Sequence, residues 1–249
     1  SSIIGLFEPP ARIADGEIYL EGRRIDNLPY EEMRRIRGHE IGMVFQDPLT
    51  SLNPLYTVGR QLTETIQTHT DLGEQAARKR AIELLGEVGI PSPNVRVDQY
   101  PHQFSGGMRQ RVVIALALCV KPRLIIADEP TTALDVSIQA QIITLLKRLC
   151  RDHGAAVMLI THDMGVIAET ANRVAVMYAG RLAEIGPVDE VIKRAKHPYT
   201  HGLMGSIPKV GHDAKRLVQI EGSMPRLTEI PTGCAFNPRC PKVFARCLT

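Results

Sequence analysis

Asp128 and Glu129 close the apolar run Leu124-Ile125-Ile126-Ala127, and two adjacent carboxylates in that place can do chemistry. The run is short, and Lys121-Pro122 interrupts whatever precedes it, which predicts a strand rather than a buried helix. A strand apolar on both faces suits a parallel sheet covered by helices. Ligands of such sheets sit beyond the carboxyl ends of the strands. Neighbouring residues at a strand end point in different directions. One carboxylate can therefore hold a metal through water while the other faces a nucleophile. Pro130-Thr131 also allows a plainer role, capping of the next helix, and for an isolated Asp-Glu pair that role has the better claim.

Three other segments bear on the choice. Val44-Phe45-Gln46-Asp47-Pro48 puts a Gln directly after a predicted strand, Ile41 to Phe45. Its amide can accept from a metal-bound water and donate to a phosphate oxygen, or simply turn the chain. In Phe104-Ser105-Gly106-Gly107-Met108-Arg109-Gln110-Arg111, Ser105 is a helix N-cap candidate for a helix running to Leu118. Gly106 and Gly107 expose backbone N–H groups at that helix start, where a phosphate would be drawn. Ser-Gly-Gly alone is equally a plain cap. Leu159-Ile160-Thr161-His162-Asp163 ends another predicted buried strand, Ala156 to Ile160, with a histidine, a residue more often structural than catalytic when it stands alone.

In this order the four segments resemble the ATP-binding subunits of ABC transporters. The wording Asp47-Pro48-Leu49-Thr50-Ser51-Leu52-Asn53-Pro54 is similar to the importers of peptides and nickel in particular, and the resemblance runs from the second residue to the end. It implies ATP and Mg2+ as ligands. Asp128 matches the magnesium-side carboxylate, and Glu129 the general base that polarises the attacking water. Gln46 matches the glutamine of the Q-loop, which in that family senses the γ-phosphate and touches the transmembrane partner. Ser105, Gly106 and Gly107 match the signature that binds nucleotide in trans, with Phe104 and Met108 where Leu and Gln are usual. Asp135, in Ala133-Leu134-Asp135, matches the loop between the two ATPase subunits. His162 matches the switch histidine that holds the γ-phosphate and water.

Composition is compatible with this. Hydrophobic content of 44% and charged content of 23% are ordinary for a globular chain of 249 residues. A net charge of +3 is too small to argue for nucleic acid, and Arg34, Arg35, Arg37 and Arg78, Lys79, Arg80 read as solvated helix faces. The longest apolar run, Val112 to Val120, is too short to span a bilayer, and no signal peptide is visible. Membrane association would come through partners. The resemblance implies two transmembrane permease subunits, a second ATPase subunit and, indirectly, an extracytoplasmic peptide-binding protein, with the chain at the cytoplasmic face of the membrane. Five cysteines without secretory features suggest a reducing compartment.

The elements that must position these residues follow from local patterns. Gly16 to Ile25 reads as a hairpin and Tyr30 to Arg37 as a short charged helix. Val58 to Thr68 and Glu74 to Val88 have apolar residues at helical spacing, as has Val136 to Arg151. Pro91 to Pro101 reads as a loop. Val174 to Tyr178 and Arg181 to Ile185 form a second hairpin around Ala179-Gly180, followed by a short helix from Pro187 to Ala195. Gly211 to Pro231 has no strong period. Strands alternating with helices predict an α/β fold with a mostly parallel core sheet, an antiparallel edge and a helical subdomain at about 50–118. By resemblance it is a P-loop NTPase-type ABC ATPase domain at 1–186, with a small C-terminal extension at 187–249.

In that extension His197 and His201 are four apart, but no third ligand is evident and Pro198 suits a first helical turn, so a structural role is expected. Cys234, Cys240 and Cys247 offer three thiolates within 14 residues, which suits a soft metal or an iron–sulfur cluster, or leaves three free thiols. The tail resembles the cluster-binding end of dipeptide-type ATPases, which implies a four-iron four-sulfur cluster completed by a later cysteine. Cys119 and Cys150 fall on predicted helices and are expected in the core.

One motif is missing. The phosphate loop of this class ends in Gly-Lys followed by Ser or Thr, and no Gly here is followed by Lys. Ser1 to Phe7 resembles the end of the helix that follows such a loop. The expectation is an N-terminal truncation, with a sheet that has an exposed edge and a chain that does not hydrolyse ATP alone. Two other functions stand beside peptide import. A soluble ABC ATPase acting on DNA would carry a coiled coil between Gln46 and Ser105, where 58 residues lack heptads, and a ribosomal one would carry two ATPase units. A non-catalytic regulatory or cluster-binding relative gains weight from the missing loop.

Overall fold

The computed structural model describes residues 2–132, 134–206 and 219–249, and the chain forms two compact units, 1–161 and 162–249. Ala133 and part of the Gly211 to Pro231 stretch lie outside the described residues.

The first unit opens with a single 3-10 turn, Ser2–Ile4, where a longer helix end was expected. A short hairpin follows, β1 (Tyr19–Leu20) and β2 (Arg23–Arg24), turning through Glu21 and Gly22 at φ 47° and 81°. Two positive φ values match the twist of the flanking strands. Next come α1 (Tyr30–Ile36), β3 (Ile41–Val44), α2 (Pro48–Ser51), α3 (Val58–His69) and α4 (Glu74–Glu87). A single turn of helix, α5 (Pro93–Arg96), occupies part of the predicted loop. Then α6 (Gly106–Leu118), β4 (Leu124–Asp128), α7 (Val136–His153) and β5 (Ala156–Ile160) complete the unit.

β3, β4 and β5 form a parallel sheet in that order, with Val44 beside Ala127 and Asp128 beside Ile160. Alternation splits the side chains of β4 between two apolar clusters. Ile125 and Ala127 enter the large core built from α3, α4, α6 and α7. Ile126 enters a smaller cluster with Ile4, Ile25, Met33, Ile36 and Ile41. β4 is thus covered on both faces, as its unbroken apolar run predicts.

β5 corrects the sequence expectation of a second buried strand. Val157, Met158 and Ile160 are 41–45% exposed, and among the described residues β5 pairs with β4 alone. An apolar run records that a strand can be buried, not that a neighbour covers it. β5 is the exposed edge of the sheet.

The second unit comprises α8 (Met164–Thr170), β6 (Arg173–Tyr178), β7 (Arg181–Pro187), α9 (Val188–Lys193) and α10 (Pro198–Gly205). β6 and β7 are an antiparallel pair joined by Ala179 and Gly180 at φ 47° and 74°. Val174 and Val176 pack with Ile167 and Val191, which ties the hairpin to α8 and α9. Tyr178 packs instead on Ala235 and Phe236 of the tail. Among the described residues the antiparallel strands form two two-stranded sheets, β1 with β2 and β6 with β7.

Candidate active site

The parallel register of β3 and β4 carries both chains off the sheet at the same end. Gln46 and Glu129, 83 positions apart in sequence, meet there: the Gln46 Nε2 amide donates to Glu129 Oε2 at 3.0 Å. Asp128 ends β4, half-buried and opposite Ile160. The Glu129 N–H still donates to the Ile160 carbonyl at 2.9 Å, so the backbone stays in the ladder one residue beyond the strand. At Glu129 the chain then turns through φ 44°. A left-handed conformation in a non-glycine residue costs on the order of 1–3 kcal/mol and clusters at functional sites. A second donor, the Thr132 hydroxyl, reaches the same Oε2 at 2.8 Å.

The Ser-Gly-Gly segment starts α6 as the sequence predicts. The Ser105 side chain accepts from the Met108 N–H, and α6 spans Gly106–Leu118. Packing gives the glycines a reason that sequence reasoning did not supply. A Cβ on Gly107 would lie 2.9 Å from Ile138 Cγ2, and one on Gly106 would touch Leu134 Cδ2 at 3.6 Å. The start of α6 therefore sits against the start of α7, beside Asp135. Asp135 occupies the N-cap position of α7 and its carbonyl accepts from Gln139 N–H at 2.8 Å, without a side-chain cap. The described contacts make two groups of these residues, Gln46 with Glu129 and Ser105–Gly107 with Leu134 and Ile138. His162 opens the second unit and is exposed, and the next residue, Asp163, caps α8 by accepting from the Gly165 and Val166 N–H groups.

The donors at the strand ends are hard oxygens, a carboxylate on Asp128 and the amide oxygen of Gln46, and that chemistry fits Mg2+. The tail is different. Cys234, Cys240 and Cys247 line one cavity of about 600 Å3 together with His197. Yet among the described residues no group of three or more His, Cys, Asp or Glu side chains is placed to hold a metal ion. Cys234 and Cys247 are joined through the backbone, Cys234 N–H to Cys247 carbonyl at 3.0 Å, while the Cys234 Sγ approaches His197 Nε2 at 3.9 Å. Cys240 packs beside Tyr178 and Phe236. The thiols share a cavity without converging, so as placed they do not fit the expected cluster.

His197 is structural, as expected. Its Nδ1 accepts from the Tyr199 N–H at 3.1 Å to cap α10, and burial pushes its pKa down against the pull of Glu184. Sequence reasoning missed Glu184. Its burial opposes ionisation, but the N–H groups of Lys196 and His197 hold its pKa below the ordinary value. Cys119 and Cys150 are buried, and burial pushes their thiols up to about 12, against the pull of Arg80 and backbone hydrogen bonds, and to about 11. Thr132 was also missed, although Pro130 ahead of it signals a turn.

Comparison with known proteins bears on the family and the fold. The ABC transporter family matches residues 1–132, and the oligopeptide/dipeptide transporter C-terminal region matches residues 183–247. The chain is 51% identical over 247 residues to the dipeptide transport ATP-binding protein DppD of Bacillus subtilis (strain 168), covering 99% of this chain and 74% of that one. It is 54% identical over 232 residues to the oligopeptide transport ATP-binding protein OppD of the same organism, covering 93% of this chain and 65% of that one. Its fold is similar to that of the ATP-binding cassette MJ0796 in a dimeric post-hydrolysis state bound to ADP and Pi. The TM-score is 0.63 and the identity 31%, over 72% of this chain and 75% of that one. It is also similar to cbiO1 from Clostridium perfringens, part of an ABC transporter complex, with a TM-score of 0.65 and 29% identity over 78% of this chain and 72% of that one. Among the described residues no helix is long and apolar enough to cross a membrane. On the family match, the identities and the strand-end carboxylates together, the chain belongs to the ABC transporter family and carries the C-terminal region of its oligopeptide/dipeptide branch.

Proposed function

We propose that the chain is the ATP-binding and ATP-hydrolysing subunit of a transporter that imports di- or oligopeptides. It would work at the cytoplasmic face of the membrane with two permease subunits and a second ATPase subunit, while an extracytoplasmic binding protein presents the peptide. The observation that carries this is the hydrogen bond between Gln46 and Glu129, which joins two distant motifs at the carboxyl ends of adjacent parallel strands.

Phosphoryl transfer to water needs chiefly positioning and charge stabilisation. Asp128 and Gln46 would hold Mg2+, which when bound neutralises phosphate charge. Glu129 accepts the proton of the attacking water, and Gln46 keeps its carboxylate turned toward that water. His162, on its resemblance to the switch histidine, would hold the γ-phosphate. Ser105, Gly106 and Gly107 of the second subunit donate to the phosphates from the N-terminus of α6, where unpaired N–H groups and the helix dipole favour anions. Asp135, beside that helix start, contacts the second subunit. No step passes through an iron–sulfur cluster.

The test is Glu129→Gln in the assembled transporter, with a phosphate loop present. ATP should remain bound and the ATPase pair closed, while turnover and uptake of labelled dipeptide are lost. Turnover near wild type would refute Glu129 as the base.

A further inference from the structure

Glu129 lies in a four-residue turn. The Thr132 N–H donates to the Glu129 carbonyl at 3.3 Å, with Pro130 at the second position, where its fixed φ favours the turn. Pro130 and Thr131 are buried. The Thr131 carbonyl accepts from Gln139 Nε2 at 3.0 Å and from the Leu134 N–H at 3.1 Å, which anchors the turn to α7. The turn folds Thr132 back beneath Glu129, and its hydroxyl donates to Oε2 at 2.8 Å.

Two donors therefore fix one carboxylate oxygen, and they differ in kind. Gln46 comes from another strand, and any movement of β3 changes its reach. Thr132 belongs to the same turn as Glu129 and moves with it. Its grip holds whether Gln46 stays or leaves for another partner.

We propose that Thr132 is a positioning residue for hydrolysis, holding the Glu129 carboxylate in the orientation from which it takes the proton of water. The proposal rests on Glu129 being the general base. It assigns Thr132 no contact with nucleotide, so the hydroxyl acts on the chemical step and not on ATP binding.

The experiment compares Thr132→Val, Thr132→Ser and Glu129→Gln in the assembled transporter, measuring kcat and KM for ATP. Val keeps the branched shape in the turn and removes the donor, whereas Ser keeps the donor. A misplaced catalytic group costs up to about 100-fold. Thr132→Val should lower kcat about 10- to 100-fold with KM within about twofold, and Thr132→Ser should recover most of the rate. Thermal melting of each variant identifies loss of fold, and the folded Thr132→Ser variant then decides by its rate. Wild-type kcat in Thr132→Val, equal loss in the Val and Ser variants, or a change confined to KM would each overturn the proposal. Near wild-type turnover in Glu129→Gln would instead overturn the general-base assignment on which it rests, so the two failures are distinguishable.

Discussion

Gly42 couples the stability of the first unit to the geometry of its site. It lies in β3 opposite Ile125, under α6. A Cβ added there would lie 2.3 Å from the Ala117 carbonyl oxygen and 2.7 Å from Ile125 Cδ1. Ordinary contact begins at 3.4 Å, so the new carbon is 1.1 Å too close to a backbone atom. The Ile125 methyl can rotate aside, but Ala117 cannot, because the fully buried Ile114 and Leu118 fix that part of α6 in the core. β3 must yield by about 1 Å, and overpacking of this kind costs about 1–3 kcal/mol. For a unit of this size that lowers the melting temperature by about 2–12 °C. The same shift carries Gln46 with it and stretches its 3.0 Å contact with Glu129 past the hydrogen-bonding limit of about 3.5 Å. The assay is thermal and urea melting of wild type, Gly42→Ala, Gly42→Ser and a control, Gly73→Ala. A Cβ on Gly73 would meet nothing within 4 Å, and its φ is −67°. The Ser variant should melt below the Ala variant, and the control should melt with wild type. A Gly42→Ala melting point within about 1 °C of wild type would show that α6 gives way and that the coupling is wrong.

Three further outcomes are expected. Burial should leave Cys119 and Cys150 unreactive toward a thiol reagent at pH 8, so native chain should titrate three thiols and denatured chain five. Brown protein carrying four irons per chain after anaerobic purification would contradict the thiol count and restore the cluster. The same two thiols keep their protons in the folded state well above the ordinary pKa of 9.0. The unfolded chain loses those protons first, so stability should fall as pH rises from about 9 toward 11–12, and flat urea midpoints across that range would refute the cause. Calorimetric titration of the 249 residues with ATP and Mg2+ should show no micromolar binding, because no Gly-Lys phosphate loop is present. Steady phosphate release by this chain alone would overturn that expectation.

Much of the fold was legible because its determinants are local. Ser105 before Gly106 marks the start of α6, the apolar spacing from Val58 marks α3, and Ala179-Gly180 marks the hairpin turn, since caps, periods and left-handed turns are properties of a few neighbouring residues. The run Leu124 to Ala127 likewise determined a strand that could be buried on both faces, and β4 is. The order of motifs determined which residues to suspect. Distances between segments were beyond the sequence's reach. Only the parallel register of β3 and β4 brought Gln46 to Glu129, and only the turn at Pro130 placed the Thr132 hydroxyl on the same oxygen. The equally apolar β5 came out exposed, because burial depends on what lies alongside and not on the strand's own residues. The three tail cysteines, close in sequence, face one cavity without forming a ligand set, since spacing along a chain constrains backbone reach but not where the sulfurs point.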